Sequence, residues 1–517
     1  MPSDPADRAD PRAAPDPRAA PAPTLLRSAR IGDAVLDVLL FDGVIRAMGP
    51  GIDAPADAEP VRLDGRPLLP GLWDNHVHAE QHALARSRLD LSAARSAAEV
   101  ADLVRRHLAG RDSANSGHSG DPPTPLVGVG FRDALWPDAP SRALLDEAAG
   151  AVPTVLMSGD LHCGWVNSAA TRLLGGPSDP DGLVREADWQ AVHLALARLP
   201  ARLLDRHVTA MAQAAAARGV VGIVDFEAPW PLDGWARRLA GGAGPLRVVA
   251  SVWPSHLDEP IARGLRSGDR VPGTGGLLTM GPLKIITDGS LNTRTAYCHD
   301  PYPGMDGAAH PCGMLLVPPA DLCPLLARAT AAGLDVAVHA IGDRANELVL
   351  DAFAATRARG RIEHAQLLVP ADVARFAALG VGASIQPEHA VDDRDVADRY
   401  WAGRTHRAFA YRSLLDAGAE LALGSDAPVA PLDPWITLAA AVHRSGDGRP
   451  PWHPEQHLPL DAALAASAGP DGALRVGRRA DLVVTELDPA AATPQQLRAM
   501  PVAATMVGGR WTHRVGI

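Results

Sequence analysis

The feature that most restricts how this chain can fold is a unit repeated along its middle. A short apolar, β-branched run ends in polar residues and gives way to a helical pattern. Eight such runs can be read, at 68–78 (LLPGLWDNHVH), 219–227 (GVVGIVDFE), 246–253 (LRVVASVW), 282–290 (PLKIITDGS), 334–343 (LDVAVHAIGD), 361–366 (RIEHAQ), 380–389 (GVGASIQPEH) and 421–428 (LALGSDAP). Helical stretches such as PADLCPLLARATAAG and VPADVARFAALG lie between several of them. Eight alternating strands and helices predict an α/β fold, a closed (β/α)8 TIM barrel.

The flanks have a different texture. Residues 24–66 read as short strands separated by turns, and the same texture returns at 472–517, which predicts one small sheet domain built from both chain ends. The barrel then spans 67–471, with an insertion at about 80–205 between its first and second strands. Within the insertion, GRDSANSGHSGDPP reads as a mobile loop and PTVLMSGDLHCGWVNSAA as ordered. Insertions after barrel strands tend to shape a substrate pocket. Residues 1–23 are rich in Pro, Ala and Asp, lack the apolar core of a secretory signal, and are expected to be a disordered tail.

Bulk properties exclude several function classes. A net charge of −11 leaves no broad electrostatic footprint for nucleic acid. No apolar run reaches the roughly 18 residues needed to span a membrane. The four cysteines (163, 298, 312, 323) form no CxxC pair, which suits free thiols in a reducing, cytoplasmic setting.

Polar residues that interrupt apolar strands near their C-terminal ends should ring the mouth of a barrel. Here they are His76, His78, Lys284, His339, His364 and Asp426. His76 and His78 lie two apart on a strand, so both imidazoles point to one face and can grip a metal. With 19 histidines in the chain, an HxH pair alone is weak, and its place at the end of the first strand carries the argument. His339 and His364 each end an apolar strand; singly they fit a satisfied core histidine, together on one rim they fit ligation. Asp426 reads either as a helix cap before Pro428 or as a metal-bound carboxylate that takes a proton from attacking water.

Lys284 is the single lysine; the other 48 of the 49 basic side chains are arginine. A buried ammonium is costly to desolvate and its pKa falls. The neutral amine can add carbon dioxide to give a carbamate, an anion with two oxygens able to bridge two cations. A guanidinium stays protonated and cannot follow. The plainer alternative is a lysine paired with Asp288 or another carboxylate.

With these residues in hand, the chain resembles the metal-dependent amidohydrolase superfamily, and more narrowly its YtcJ-like branch, which includes N-substituted formamide deformylases. The motifs are PGLWDNHVH, DLHCGWVNSAA, KIITDGSLNTRTA, VAVHAIGDRAN, RIEHAQLL, SIQPEHAVDD, GSDAPV and VGRRADLVV, in family order from about residue 30 onward. The resemblance implies a (β/α)8 barrel with a composite β-sandwich. It also implies a metal site at His76, His78, Lys284, His339, His364 and Asp426, with Lys284 where the superfamily often carries a carboxylated lysine. One or two divalent cations, zinc foremost, are expected; with one metal, His364 would act on substrate or water instead. Two departures stand out: Asn292-Thr293 replaces the usual Gly-Ser, and the tail after Asp433 is short.

The implied reaction is hydrolysis of a non-peptide carbon–nitrogen bond in a small N-acyl or N-formyl amide by metal-activated water, with Asp426 and His364 as the catalytic pair. Candidate substrate contacts are Asp160, His162, Trp165, Asn167, Asp288, Arg294, Gln386 and His389; the plainer reading makes Asp160, Asn167, Asp288 and Asp343 caps of turns or helices. Arg294 could clamp a carboxylate or pair with Asp288. Trp165 and Trp253 could line an apolar pocket or belong to the core. Two rivals remain: a one-metal deaminase of a heterocycle, and a non-catalytic binding protein. A deaminase would want an HxxE-type acid after the fifth strand, where this chain has HAIGDRAN. Nothing in the sequence marks an obligate partner, and a homodimer is one assembly open to the chain.

Overall fold

The computed structural model describes residues 22–86, 88–91, 93–114, 125–131, 133, 136–158, 163–174, 182–185, 192, 201–228, 230–240, 244, 246–291, 294–305, 307–446, 448–469 and 472–517. These fall into two compact units, one built from the residues up to His82 with Thr209–Ile517, the other from Ala83–Val208.

The first unit holds the predicted barrel. Its strands are β1 (Leu72–Val77), β2 (Val220–Asp225), β3 (Arg247–Val252), β4 (Leu278–Ile286), β5 (Val336–Ala340), β6 (Gly360–His364), β7 (Val381–Ile385) and β8 (Leu421–Leu423). Neighbours in that sequence pair in parallel from β1 to β8. The ring is completed beyond β8: the Asp426 N–H donates to His76 O at 2.8 Å and the His78 N–H to Ala427 O at 2.9 Å. Helices Pro231–Ala240, Pro319–Ala331, Pro370–Leu379, Pro387–Asp392 and Pro434–His443 each begin on a proline. At that position the missing N–H costs no helical bond and the ring presets φ. No helix among the described residues is long and apolar enough to cross a membrane.

The predicted strand 68–78 is two strands. Leu68–Pro70 pairs with Leu482–Thr485 in a flanking sheet, whereas Leu72–Val77 opens the barrel. The chain changes sheets at Gly71, where an added Cβ would lie 2.3 Å from Val221 Cγ1, so only glycine lets the backbone approach β2 this closely. The flanking sheets come from both chain ends. Thr24–Ile31, Ala34–Phe41, Val44–Gly49 and Glu59–Arg62 form one; Leu68–Pro70, Leu482–Thr485, Val502–Val507 and Arg510–Arg514 form the other. Leu26, Val38, Leu40 and Ile45 share one buried core with Leu482, Val484 and Met506, so neither end can bury its apolar face without the other.

The second unit is a small folded body. Leu89–Asp90, Leu126–Phe131, Thr154–Ser158, Cys163–Val166 and Leu183–Arg185 form a mixed sheet. Helices Ala97–Ala114 and Arg142–Ala149 contribute to its core through Val100, Val104 and Leu145, packed with Phe131, Leu156 and Trp165. The sequence reading foresaw a loop and an ordered segment here, not a sheet. Apart from the end of the first helix, the predicted mobile loop lies outside the described residues, as does nearly all of the predicted N-terminal tail.

Candidate metal centre

β1 delivers His76 as its last residue but one, and His78 follows just past its end. Both Nε2 atoms lie 3.5 Å from Asp426 Oδ1, so the period-two reading of the HxH pair holds. His364 ends β6, and its ring packs 5.1 Å from that of His76. Ligand atoms of His76, His364 and Asp426 all lie within 4.8 Å of one another. His364 (φ 72°) and Asp426 (φ 60°) both hold left-handed backbone, a conformation costly for side chains of this kind and concentrated at functional sites. The turn after β8 is pinned by Asp74, whose Oδ1 accepts the N–H groups of Ser425 (2.9 Å) and His76 (3.2 Å). No helix begins at Asp426, so the capping alternative is not what the fold uses.

Electrostatics keep these groups in ligating form. Burial, reinforced by the Lys284 ammonium, pushes the His76 imidazole down to about 4, so it is neutral near pH 7. Burial likewise holds His364 well below the usual imidazole range, with His339 adding to it. Burial works against ionised Asp426, but His76, His78, His364 and His389 around it hold its carboxyl well below the ordinary value. Lys284 is 1 % exposed, with Nζ 3.3 Å from His76 Nε2 and 4.3 Å over the Phe226 ring. Burial brings its pKa down to about 8, while Glu363 and Asp426 oppose the fall. Asp288 is not its partner. That carboxylate accepts backbone N–H groups of Tyr297, Ile341 and Gly342, and so braces the loops after β4 and β5 as a turn cap.

Glu363 escaped the sequence reading and orients the centre. Its Oε2 accepts from His76 Nδ1 at 2.8 Å, which leaves His76 Nε2 with its lone pair toward Asp426. Arg361 donates to Glu363 Oε1 at 2.6 Å. Burial pushes the Glu363 carboxyl up, yet Arg361 and His76 hold it well below the usual range. The signal was present in RIEHAQ: an acid inside an apolar strand needs a buried partner. Phe226 also went unnoticed, and its motif carried no cue; fully buried, it packs edge-on against His76 at 4.6 Å.

The remaining candidates divide. His389 joins the centre, Nε2 3.8 Å from Asp426 Oδ2 and its ring stacked 5.9 Å from His364. Gln386 Nε2 lies 3.3 Å from His76 Nδ1. His339 packs 4.5 Å from the His364 ring, but its Nε2 is 3.3 Å from both Asp288 Oδ1 and Gly289 O, outside the three-atom cluster. Arg294 is exposed, its guanidinium 5.4 Å over Tyr400, and is not paired with Asp288. Trp253 gives its Nε1–H to Phe226 O at 3.1 Å. In the second unit Trp165 is fully buried with Nε1 donating to Ser141 O, and Asn167 caps by accepting the N–H groups of Thr154 and Ala170. Those two side chains serve the unit's own packing rather than a pocket. Asp160, His162, Asn292 and Thr293 lie outside the described residues.

The donor set suits a divalent cation. Neutral imidazoles and one ionised carboxylate converge, and the buried Nδ1 atoms of His364 and His78 have no hydrogen-bond partner. A parallel eight-stranded barrel that gathers such donors at its C-terminal rim defines a metal-dependent hydrolase. Residues 61–513 match the profile of the amidohydrolase family, and the chain belongs to that family, in its YtcJ-like branch. It is 28% identical to the YtcJ protein of Bacillus subtilis, over 93% of this chain and 96% of that one. It is 27% identical to the N-substituted formamide deformylase of Arthrobacter pascens, over 89% and 90%. Among solved structures, an uncharacterized metal-dependent hydrolase from Pyrococcus horikoshii superposes with a TM-score of 0.75 at 24% identity, covering 92% of this chain and 99% of that one, which supports the fold.

Proposed function

We propose that this chain hydrolyses a non-peptide carbon–nitrogen bond in a small N-acyl or N-formyl amide. The observation that carries the reading is the convergence of His76, His364 and Asp426, with Glu363 setting the His76 tautomer. The 27% identity to the formamide deformylase supports a linear amide as substrate.

His76, His78, His364 and Asp426 would hold the cation, with His339 and a carboxylated Lys284 completing a two-metal version. When bound, a cation such as zinc supplies Lewis acidity at the substrate carbonyl and brings the pKa of water to about 7. Everything else falls to the protein. Glu363 keeps the His76 proton on Nδ1, so Nε2 serves as a donor atom. Asp426, ionised, directs Oδ1 to His76 and His78 and Oδ2 toward His389. Oδ2 takes a proton from the attacking water and returns it to the departing amine nitrogen, which leaves as a neutral amine. Burial brings the Lys284 pKa down to about 8, so more neutral amine is present near pH 7 than in a free lysine, which supports carbamate formation there.

The test is metal analysis of the purified chain followed by a screen of N-formyl and N-acyl amides against heterocyclic amines, with ammonia release as the second readout. Amide turnover with no ammonia from heterocycles supports the proposal; the reverse pattern replaces it with deamination. Inactivity of the metal-loaded chain on every class favours the binding-protein alternative. In HAIGDRAN, where a deaminase would want its acid, Asp343 lies 2.9 Å from Arg407 Nη1 and accepts the His299 N–H, which weighs against that chemistry.

A further inference from the structure

At the pole of the barrel opposite the metal centre, a cavity of about 400 Å³ opens among the first residues of β3, β4, β5 and β6. That size is within the range of small-molecule sites, roughly 300–1,000 Å³. Its charged lining is one-sided: Arg247, Arg270, Arg361 and Arg479 face it, against Asp335. Its apolar wall includes Trp73, seated where β2 and the turn near the end of the barrel leave room. A Cβ on Gly222 or Gly469 would lie 2.4 or 2.2 Å from the indole.

The protein answers only part of this positive charge. Arg247 holds Asp481 through Nε at 2.7 Å and Nη2 at 2.9 Å, and Arg479 Nε lies 3.6 Å from the same carboxylate. Arg361 gives Nε to Glu363 and Nη2 to Asn75 O, each at 2.6 Å. Asp335 is already taken by Arg359 at 3.2 Å. Arg270 lies exposed at the rim with no side-chain partner among the described residues. Buried and half-buried guanidiniums around an apolar wall make a site for an anion with an apolar body, because a planar carboxylate matches the guanidinium fork and the body displaces water from the wall.

We propose that this cavity binds a small organic carboxylate, its charge held by Arg270 with Arg361 and its apolar body set against the wall that Trp73 forms with Val224, Val249 and Leu277. The site shares Arg361 with the support of the metal centre, through Glu363 and His76, but does not depend on which bond the enzyme cleaves. It is tested by calorimetric titration of the metal-loaded full-length chain at low ionic strength with benzoate, benzamide and inorganic phosphate, on wild type, Arg270→Lys and Arg270→Glu. Benzoate should bind one-to-one, at least about tenfold more tightly than uncharged benzamide. Arg270→Glu should weaken benzoate by about tenfold or more, and Arg270→Lys should retain part of the affinity. Because Arg270 is exposed and unpaired, both variants are expected to fold, and a matching thermal melt checks that. Absence of saturable benzoate binding overturns the proposal. So does an Arg270→Glu protein that binds like wild type, which would move the anion elsewhere. Phosphate binding as tightly as benzoate also overturns it, since the wall would then contribute nothing.

Discussion

The two poles of the barrel solve opposite problems with similar materials. At the C-terminal pole, β1, β6 and the turn after β8 bring together imidazoles and a carboxylate and leave the Nδ1 atoms of His364 and His78 unpaired. A buried polar atom without a partner costs about 1–3 kcal/mol, so the fold holds that pole in a state that a ligand would relieve. At the N-terminal pole the buried cations are mostly answered by protein groups, Arg247 by Asp481 and Arg361 by Glu363, and the unanswered charge sits at the exposed rim on Arg270. One pole is specific because its donors are few and buried, neutral imidazoles around one carboxylate; the other is permissive because its charge can be solvated. Arg361 belongs to both, lining the lower cavity while it holds the glutamate that holds His76.

Substitutions can break or sharpen this contrast. The largest effect should come from Asp426→Asn, which keeps the shape of the upper pole but removes the proton acceptor. kcat on the best amide should fall about a thousandfold, while metal content by plasma mass spectrometry changes little. Retention of full turnover would take Asp426 out of proton transfer. Next, Lys284→Arg puts a permanent cation where a carbamate could form. At least one equivalent of metal should be lost, and the wild type, but not the variant, should gain metal when loaded with bicarbonate. Unchanged metal content in the variant would refute the carbamate.

A smaller loss tests the link between the poles. Glu363→Gln leaves the hydrogen bond to His76 possible but removes its charge, and metal affinity measured against a chelator should drop about 10–100-fold. An affinity equal to wild type would show that the Glu363–His76 contact does not orient the ligand. The least effect is expected at the lower rim, where Arg270→Glu should alter unfolding free energy in denaturant by no more than about 0.5 kcal/mol. A larger loss would mean that Arg270 supports the fold, and the two poles would no longer differ in this respect.

Much of the fold was legible before any coordinates. The eight apolar runs became eight parallel strands because a strand covered on both faces needs continuous apolarity, and that pattern is local. The run at 68–78 misled because apolarity does not reveal which sheet a strand joins; the change of sheet at Gly71 depends on Val221, far away in sequence. The insertion and one ordered segment in it were legible, but its sheet was not, because its strands are short and separated by residues whose periodicity carries little information. At the site, the histidines and Asp426 stood out because polar groups at the ends of apolar strands are conspicuous. Asp288 and Asn167 proved to be caps, since a carboxylate or amide beside a turn looks the same in sequence whether it meets a substrate or a backbone N–H.

Sequence alone determined the barrel, the flanking sheets from both ends and the residue types available for ligation, because these follow from local periodicity and from chemistry that each side chain carries with it. The tertiary structure decided which nitrogen of His76 is free, that Glu363 holds the other, that His339 turns toward Asp288, and that arginines from separate strands and loops surround a cavity at the far pole. Each of these depends on distances of a few ångströms between residues tens to hundreds of positions apart, and only closure of the barrel sets such distances.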